Sequence, residues 1–158
     1  MAKISEKTNV MRILDAKKIE YTPYVYSEEL TEGVLIAKVL GEDEKRVFKT
    51  LVTESPNKAH YVFVIPVAET LDLKAAAKQV GEKSVSMLKQ KDLLPLTGYI
   101  HGGCSPVGMK KQFVTVFDET AADFEKIFVS AGKVGRQIEV SPKELSELIR
   151  AKFAKITV

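Results

Sequence analysis

Residues 46–54, RVFKTLVTE, and 59–68, AHYVFVIPVA, are two runs of β-branched and aromatic side chains separated by the polar SPNK. That pattern predicts two antiparallel strands joined by a turn, at the centre of a sheet. A period of two puts Lys49 on the side of Val47 and Leu51, with Phe48, Thr50 and Val52 on the other. Both sides are otherwise apolar. A lysine in such a strand either snorkels its head to the rim or lines a pocket that supplies an anion.

The remaining elements arrange themselves around this pair. Thr8 can cap a first helix with Val10, Ile13 and Leu14 on one side, ending near Lys18. YTPYVYS (21–27) reads as a strand that Pro23 pushes to a sheet edge. Thr31 opens a second helix through Val34, Leu35, Val39 and Leu40, stopped at Gly41. LDLKAAAKQVG (71–81) is a third helix with a glycine stop, and SVSML is a short strand candidate. KQFVTVFDET, EKIFVSAG and KVGRQIEV follow as strands. Finally, SPKELSELIRAKF (141–153) is a helix with Ser141 three places before Glu144 and Pro142 at its first position. Strands outnumber helices and mostly follow one another directly. The predicted class is therefore α+β, with a mixed, largely antiparallel, barrel-like sheet flanked by helices.

At 158 residues without repeats or linkers, the expectation is one domain spanning 1–158. Hydrophobic content of 45% with 28% charged residues excludes a disordered or collagen-like chain. The apolar stretch YVFVIPVA falls far short of the roughly 20 residues a membrane span needs. MAKISEKTNVMRILDAKK lacks the continuous apolar centre of a secretory signal, so the expected compartment is the cytoplasm. Cys104 is the single cysteine and His60 and His101 the only histidines, which provides neither a disulfide nor a zinc cluster; no metal is expected. Net charge is only +3, and the lysines of the middle third, Lys74 to Lys111, fit a solvated face as readily as a nucleic-acid surface.

TGYIHGGCSPVGMKK (97–111) is a loop whose glycines allow the backbone to come close to something. It is no phosphate loop, because Met109 separates Gly108 from Lys110. Nor is it a nucleophile elbow, because Val107 stands where Gly is required after Ser105. Cys104 as a thiol nucleophile stays open, although nothing obvious orients His101 as its base.

VFKTLV, GYIHGGCSPVGMKK and IFVSAGKVG, in this order, resemble the YbaK/EbsC family of aminoacyl-tRNA deacylases, relatives of the editing domain of prolyl-tRNA synthetase. The resemblance runs from Lys18 to the last helix. It implies a small mixed β-barrel flanked by helices that removes cysteine from mischarged Cys-tRNA(Pro), and from Cys-tRNA(Cys), without a cofactor. The family's essential lysine falls on Lys49 and the following threonine on Thr50. Its glycine pair falls on Gly102 and Gly103, followed by Ser105 and Pro106, with a strand serine at Ser130 and a first-strand tyrosine at Tyr26. Glu32 stands nearest to where some members carry an aromatic, a departure that bears on the wall of the acyl pocket. The implied partners are the acceptor end of tRNA(Pro), with Lys110 and Lys111 as contact candidates, and prolyl-tRNA synthetase.

The chemistry agrees with that assignment of roles. An aminoacyl ester is already reactive, so a site needs only to position it and stabilise the oxyanion. Backbone N–H groups of Gly102 and Gly103 suit the oxyanion, and Lys49 suits the tRNA terminus as a point charge. Shape alone separates cysteine from alanine or serine by only about 1–3 kcal/mol. The resemblance implies substrate-assisted cleavage, in which the substrate's own sulfur attacks. Two alternatives remain at this point: a non-catalytic module that binds aminoacyl or nucleotide ends, and a thiol enzyme using Cys104.

Overall fold

The computed structural model describes residues 6–158; the first five residues, part of the stretch read for a secretory signal, lie outside the described residues. The predicted strand pair forms as β2 (Phe48–Glu54) and β3 (His60–Pro66), antiparallel with Lys49 opposite Ile65. The turn between them closes through Ser55 and Ala59, with Lys58 in the left-handed region at φ 68°. Around it stand α1 (Asn9–Ala16), β1 (Tyr21–Val25), α2 (Gly33–Leu40), α3 (Leu73–Gln79), β4 (Ser86–Met87), α4 (Gln90–Thr97), β5 (Val114–Asp118), β6 (Ile127–Ser130), β7 (Arg136–Val140), α5 (Pro142–Ile149) and β8 (Lys152–Ala154).

Two sheets result, one ordered β1-β7-β6 and one ordered β4-β2-β3-β5-β8. A parallel bridge from Val47 to Phe128 ties the start of β2 to β6. The class is α+β as expected, but among the described residues the pairing is open at β4 and β8 and closes no barrel. β4 is only two residues long and covers β2 only at Thr53 and Glu54, too short to carry the sheet round. β1 is an edge strand, as Pro23 requires. The antiparallel expectation holds for β1–β7, β6–β7, β2–β3 and β2–β4, whereas β3–β5 and β5–β8 are parallel.

Thr8 caps α1 by accepting from the Met11 N–H, and Ser141 caps α5 by accepting from the Glu144 N–H, both as the sequence indicates. Three segments depart from expectation. The cap of α2 is Glu32 instead of Thr31, and it makes no side-chain bond. The last helix stops at Ile149 because Arg150 turns left-handed at φ 57°, and residues 152–154 become β8 instead of a final helical turn. The buried Asp118 carboxylate accepts from the Thr120 N–H, the Thr120 hydroxyl and the Ile156 N–H, which draws the chain end against β5. The third is α4, which has no side-chain cap and carries Pro95 inside it, two features that hide a helix from sequence reading.

The larger sheet is covered on both faces. Phe48, Val52, Val62 and Val64 pack with α1, α5 and the smaller sheet. Phe63, Ile65 and Val116 pack against Ala76 and Ala77 of α3 and Ile156 on the reverse face. α2 closes the junction of the sheets through Ala37 against Val47, Val67 and Phe128. Arg46 fastens that corner with ion pairs to Glu42 and Glu139, each at 2.8 Å, so the start of β2 is rigidly placed. No helix of the described residues is long and apolar enough to cross a membrane.

Candidate functional site

A cavity of about 410 Å³ opens between the N-terminal end of α2, the first half of β2, the strand pair β6–β7 and the 97–111 loop. Its position follows from the short β4. Residues 49–51 have no strand neighbour on that edge, so the side chains of both Lys49 and Thr50 line the cavity although they leave opposite faces of the strand.

Lys49 is half-buried and has no hydrogen bond or ion pair among the described residues. Burial lowers the pKa of its ammonium below 10.5, and the nearby charge of Glu69 pulls weakly the other way. Between the lowered folded value and 10.5 the unfolded chain binds more protons than the folded one. The stability cost of the half-buried charge is therefore fully present at neutral pH and is relieved as pH rises through that window. An NMR titration of the Lys49 side chain, assigned with Lys49→Arg, should give a midpoint below 10.5; a midpoint at or above 10.5 would contradict desolvation.

The glycine loop is pinned from within. Gly103 donates its N–H to Ile100 O at 3.0 Å, so this amide is used up in a turn. Gly102 lines the cavity at φ +88°, and its own N–H meets no acceptor among the described residues. A Cβ on Gly102 would lie 2.7 Å from Thr31 Cγ2, and one on Gly103 would lie 2.8 Å from Val134 N. The loop thus rests against the start of α2 on one side and the 131–135 turn on the other. Ser105 is fully buried and accepts from the Val107 N–H; with Pro106, also buried, it shapes the loop from behind and does not reach the cavity.

Ser130 does reach it, and its hydroxyl oxygen accepts from the Gly132 N–H at 3.1 Å, which leaves the hydroxyl proton to donate. Tyr26 is not a wall residue; its hydroxyl is buried beside the Gln137 amide without completing a hydrogen bond, and burial raises its pKa. Lys110 and Lys111 are exposed and lie outside the cavity, Lys110 with its stem on Gly98.

Gln137 is a wall residue that sequence reading did not single out. It is 4% exposed and faces Ser130 across the β6–β7 ladder. Its Oε1 and the Thr50 hydroxyl are both buried without a hydrogen-bond partner. Each such orphan costs a fold about 1–3 kcal/mol, so two lining one cavity from different sheets mark a place prepared for a ligand. The sequence carries no signal for it: in RQIEV a period of two puts Gln137 on the side of Glu139, opposite Ile138 and Val140.

Cys104 lines the same cavity, but burial pushes its thiol up to about 12. His101 also lines the cavity but is exposed and makes no hydrogen bond to the thiol. A thiol held protonated in this way is a poor nucleophile at neutral pH. The described residues contain no group of three or more His, Cys, Asp or Glu able to hold a metal ion.

The model of the aminoacyl-tRNA editing domain family matches residues 31–148, which include Lys49, the glycine loop, Ser130 and Gln137. The chain belongs to that family. Across 98% of its length this editing domain is 46% identical to EbsC of Enterococcus faecalis, covering 96% of that protein, whose name carries a provisional assignment as a Cys-tRNA(Pro)/Cys-tRNA(Cys) deacylase. It is 27% identical over 122 residues to the uncharacterized protein YwhH of Bacillus subtilis, covering 77% of this chain and 75% of that one. Two solved structures share the fold of the editing domain. Protein APE2540 superposes with a TM-score of 0.88 at 24% identity over 96% of this chain and all of its own. A protein provisionally described as a trans-editing enzyme for prolyl-tRNA synthetase does so with 0.82 at 21% identity, over 98% of this chain and 99% of its own.

Proposed function

We propose that this single-domain protein is a trans-editing deacylase that removes cysteine from Cys-tRNA(Pro), and from Cys-tRNA(Cys), by substrate-assisted cleavage. The observation that carries the reading is an unpaired, half-buried ammonium, Lys49, lining the same cavity as Gly102, whose N–H meets no acceptor among the described residues, with no activated protein nucleophile in reach. The name of EbsC and the family match support the substrate class.

Lys49 holds the terminal phosphate or ribose of the tRNA at the rim. The ester carbonyl then lies toward Gly102, whose N–H stabilises the developing oxyanion. The substrate's thiol sulfur bonds to the carbonyl carbon, the bond to the ribose 3′-oxygen breaks, and the thiol proton ends on that oxygen. Cysteine leaves as a cyclic thioester that water opens. Alanine and serine lack the attacking atom, so chemistry sorts what pocket shape cannot. Tyr26, Thr50 and Ser130 serve the aminoacyl side, Ser105 and Pro106 hold the loop, and the exposed Lys110 and Lys111 are the contact candidates for the acceptor stem. Prolyl-tRNA synthetase supplies recognition of the tRNA body, because a domain with a radius of gyration of about 15 Å covers little beyond an acceptor end. The reaction takes place in the cytoplasm.

Release of amino acid from cysteinyl-, alanyl- and seryl-tRNA tests this directly. Cysteine should leave at least about 10³-fold faster than the other two, beyond the roughly 10–200-fold that a pocket one atom different secures alone. Binding without loss of the ester would instead identify a non-catalytic module, and equal rates on all three would remove the substrate's sulfur from the mechanism.

A further inference from the structure

We propose that Gln137 is the specificity residue that receives the α-amino group of the bound aminoacyl ester, with Thr50 and Ser130 completing the acceptor set. The inference rests on the deacylase reading for the chemical identity of the ligand, but its evidence is the wall of the cavity. Gln137 is 96% buried, its Oε1 is unpartnered, and it lines the cavity. Thr50 brings a second orphan oxygen from the other sheet, and Ser130 stands beside Gln137 in the β6–β7 register. Oxygens from two sheets therefore converge on one space.

Unsatisfied acceptors call for a donor. In an aminoacyl ester the α-ammonium is the only group with several N–H donors within two bonds of the carbonyl carbon. If the phosphate or ribose is held at Lys49 and the carbonyl oxygen at Gly102, the remaining substituents of the α-carbon face β6, β7 and Thr50. The acceptors themselves are neutral, and Glu32, the one carboxylate among the described residues that line the cavity, is exposed. An amide and hydroxyls accept from the amine without forming an ion pair, which would compete with the positioning of Lys49. The site then reads a free amino group and rejects an acylated one, because acylation removes the donors and adds bulk against buried oxygens.

The test uses the whole protein and an amide-linked, non-hydrolysable probe, 3′-cysteinylamino-3′-deoxyadenosine 5′-phosphate, beside its N-acetyl counterpart. Calorimetry should show wild type preferring the free amine by at least about tenfold, the scale of one lost buried hydrogen bond. Gln137→Leu should reduce that ratio to about twofold or less, with its thermal midpoint measured alongside because the buried Tyr26 hydroxyl lies beside the Gln137 amide. Gln137→Met, which keeps the chain length, repeats the measurement should leucine fail to fold. A wild-type ratio near one, or a ratio unchanged in the variants, overturns the assignment. Hydrolysis of cysteinyl-tRNA is scored separately: discrimination between the probes without turnover would end the deacylase reading and leave Gln137 in its role.

Discussion

Lys49→Ala is expected to lower kcat/KM for cysteinyl-tRNA by about 10²–10³-fold, the scale seen when one charged or oxyanion contact is lost from a desolvated site. The reason lies in where β2 puts the ammonium. It is half-buried, free of ion pairs and the one lysine or arginine among the described residues that line the cavity, so no neighbouring cation takes over its contact with the tRNA terminus. Lys49→Arg should recover only part of the activity, because a planar guanidinium directs its donors differently from a compact ammonium. Folding should not suffer, since the substitution removes a desolvated charge from an otherwise apolar strand. Cys104→Ser should remain within a few-fold of wild type, its thiol being protonated and unassisted. Single-turnover deacylation with the three variants decides the matter: an active Lys49→Ala, or an inactive and well-folded Cys104→Ser, would each defeat the mechanism.

Gly103→Ala should be the next most damaging change, although its amide does not face the substrate. A methyl group there meets Val134 N at 2.8 Å and the Lys133 carbonyl carbon at 3.1 Å, and backbone atoms cannot swing aside. The loop must move, and a displacement of about 1 Å at a reacting group costs on the order of 10²-fold in rate. Overpacking of this kind also costs about 1–3 kcal/mol of stability. Gly102→Ala behaves differently. Its close contact is with the exposed Thr31 side chain, so the main penalty is the left-handed backbone at φ +88°, about 1–2 kcal/mol. Thermal unfolding and deacylation measured together distinguish the cases: Gly103→Ala with wild-type rate and midpoint would show that the loop is not held against the 131–135 turn.

Reading the chain residue by residue reached the strand pair, the edge position of β1, the caps at Thr8 and Ser141 and the glycine stop at Gly41. It did not reach α4, where an internal proline and an uncapped start conceal a helix that is held by its packing. It extended α5 into β8, because RAKF has good helix-forming residues while the outcome depends on an open edge of β5 and on the Asp118 carboxylate. At the site, Lys49 was conspicuous as a charge within an apolar run. Gln137 was not, because a lone glutamine in a strand looks like any solvent-facing residue until its partner strands are known.

What the sequence by itself determined is local: the period-two alternation that makes β2 and β3, the side chains that cap helices, the glycines that permit a tight loop, and the type of residue at position 49. These depend on neighbours a few residues away, where propensity and hydrogen bonding act directly. The tertiary structure alone decided which strands run parallel, that β4 is too short to cover Lys49 and Thr50, and that Gln137 and Ser130 from β6 and β7 close the same cavity. Those outcomes rest on contacts between segments up to about ninety residues apart, where burial and pairing geometry outweigh local preference.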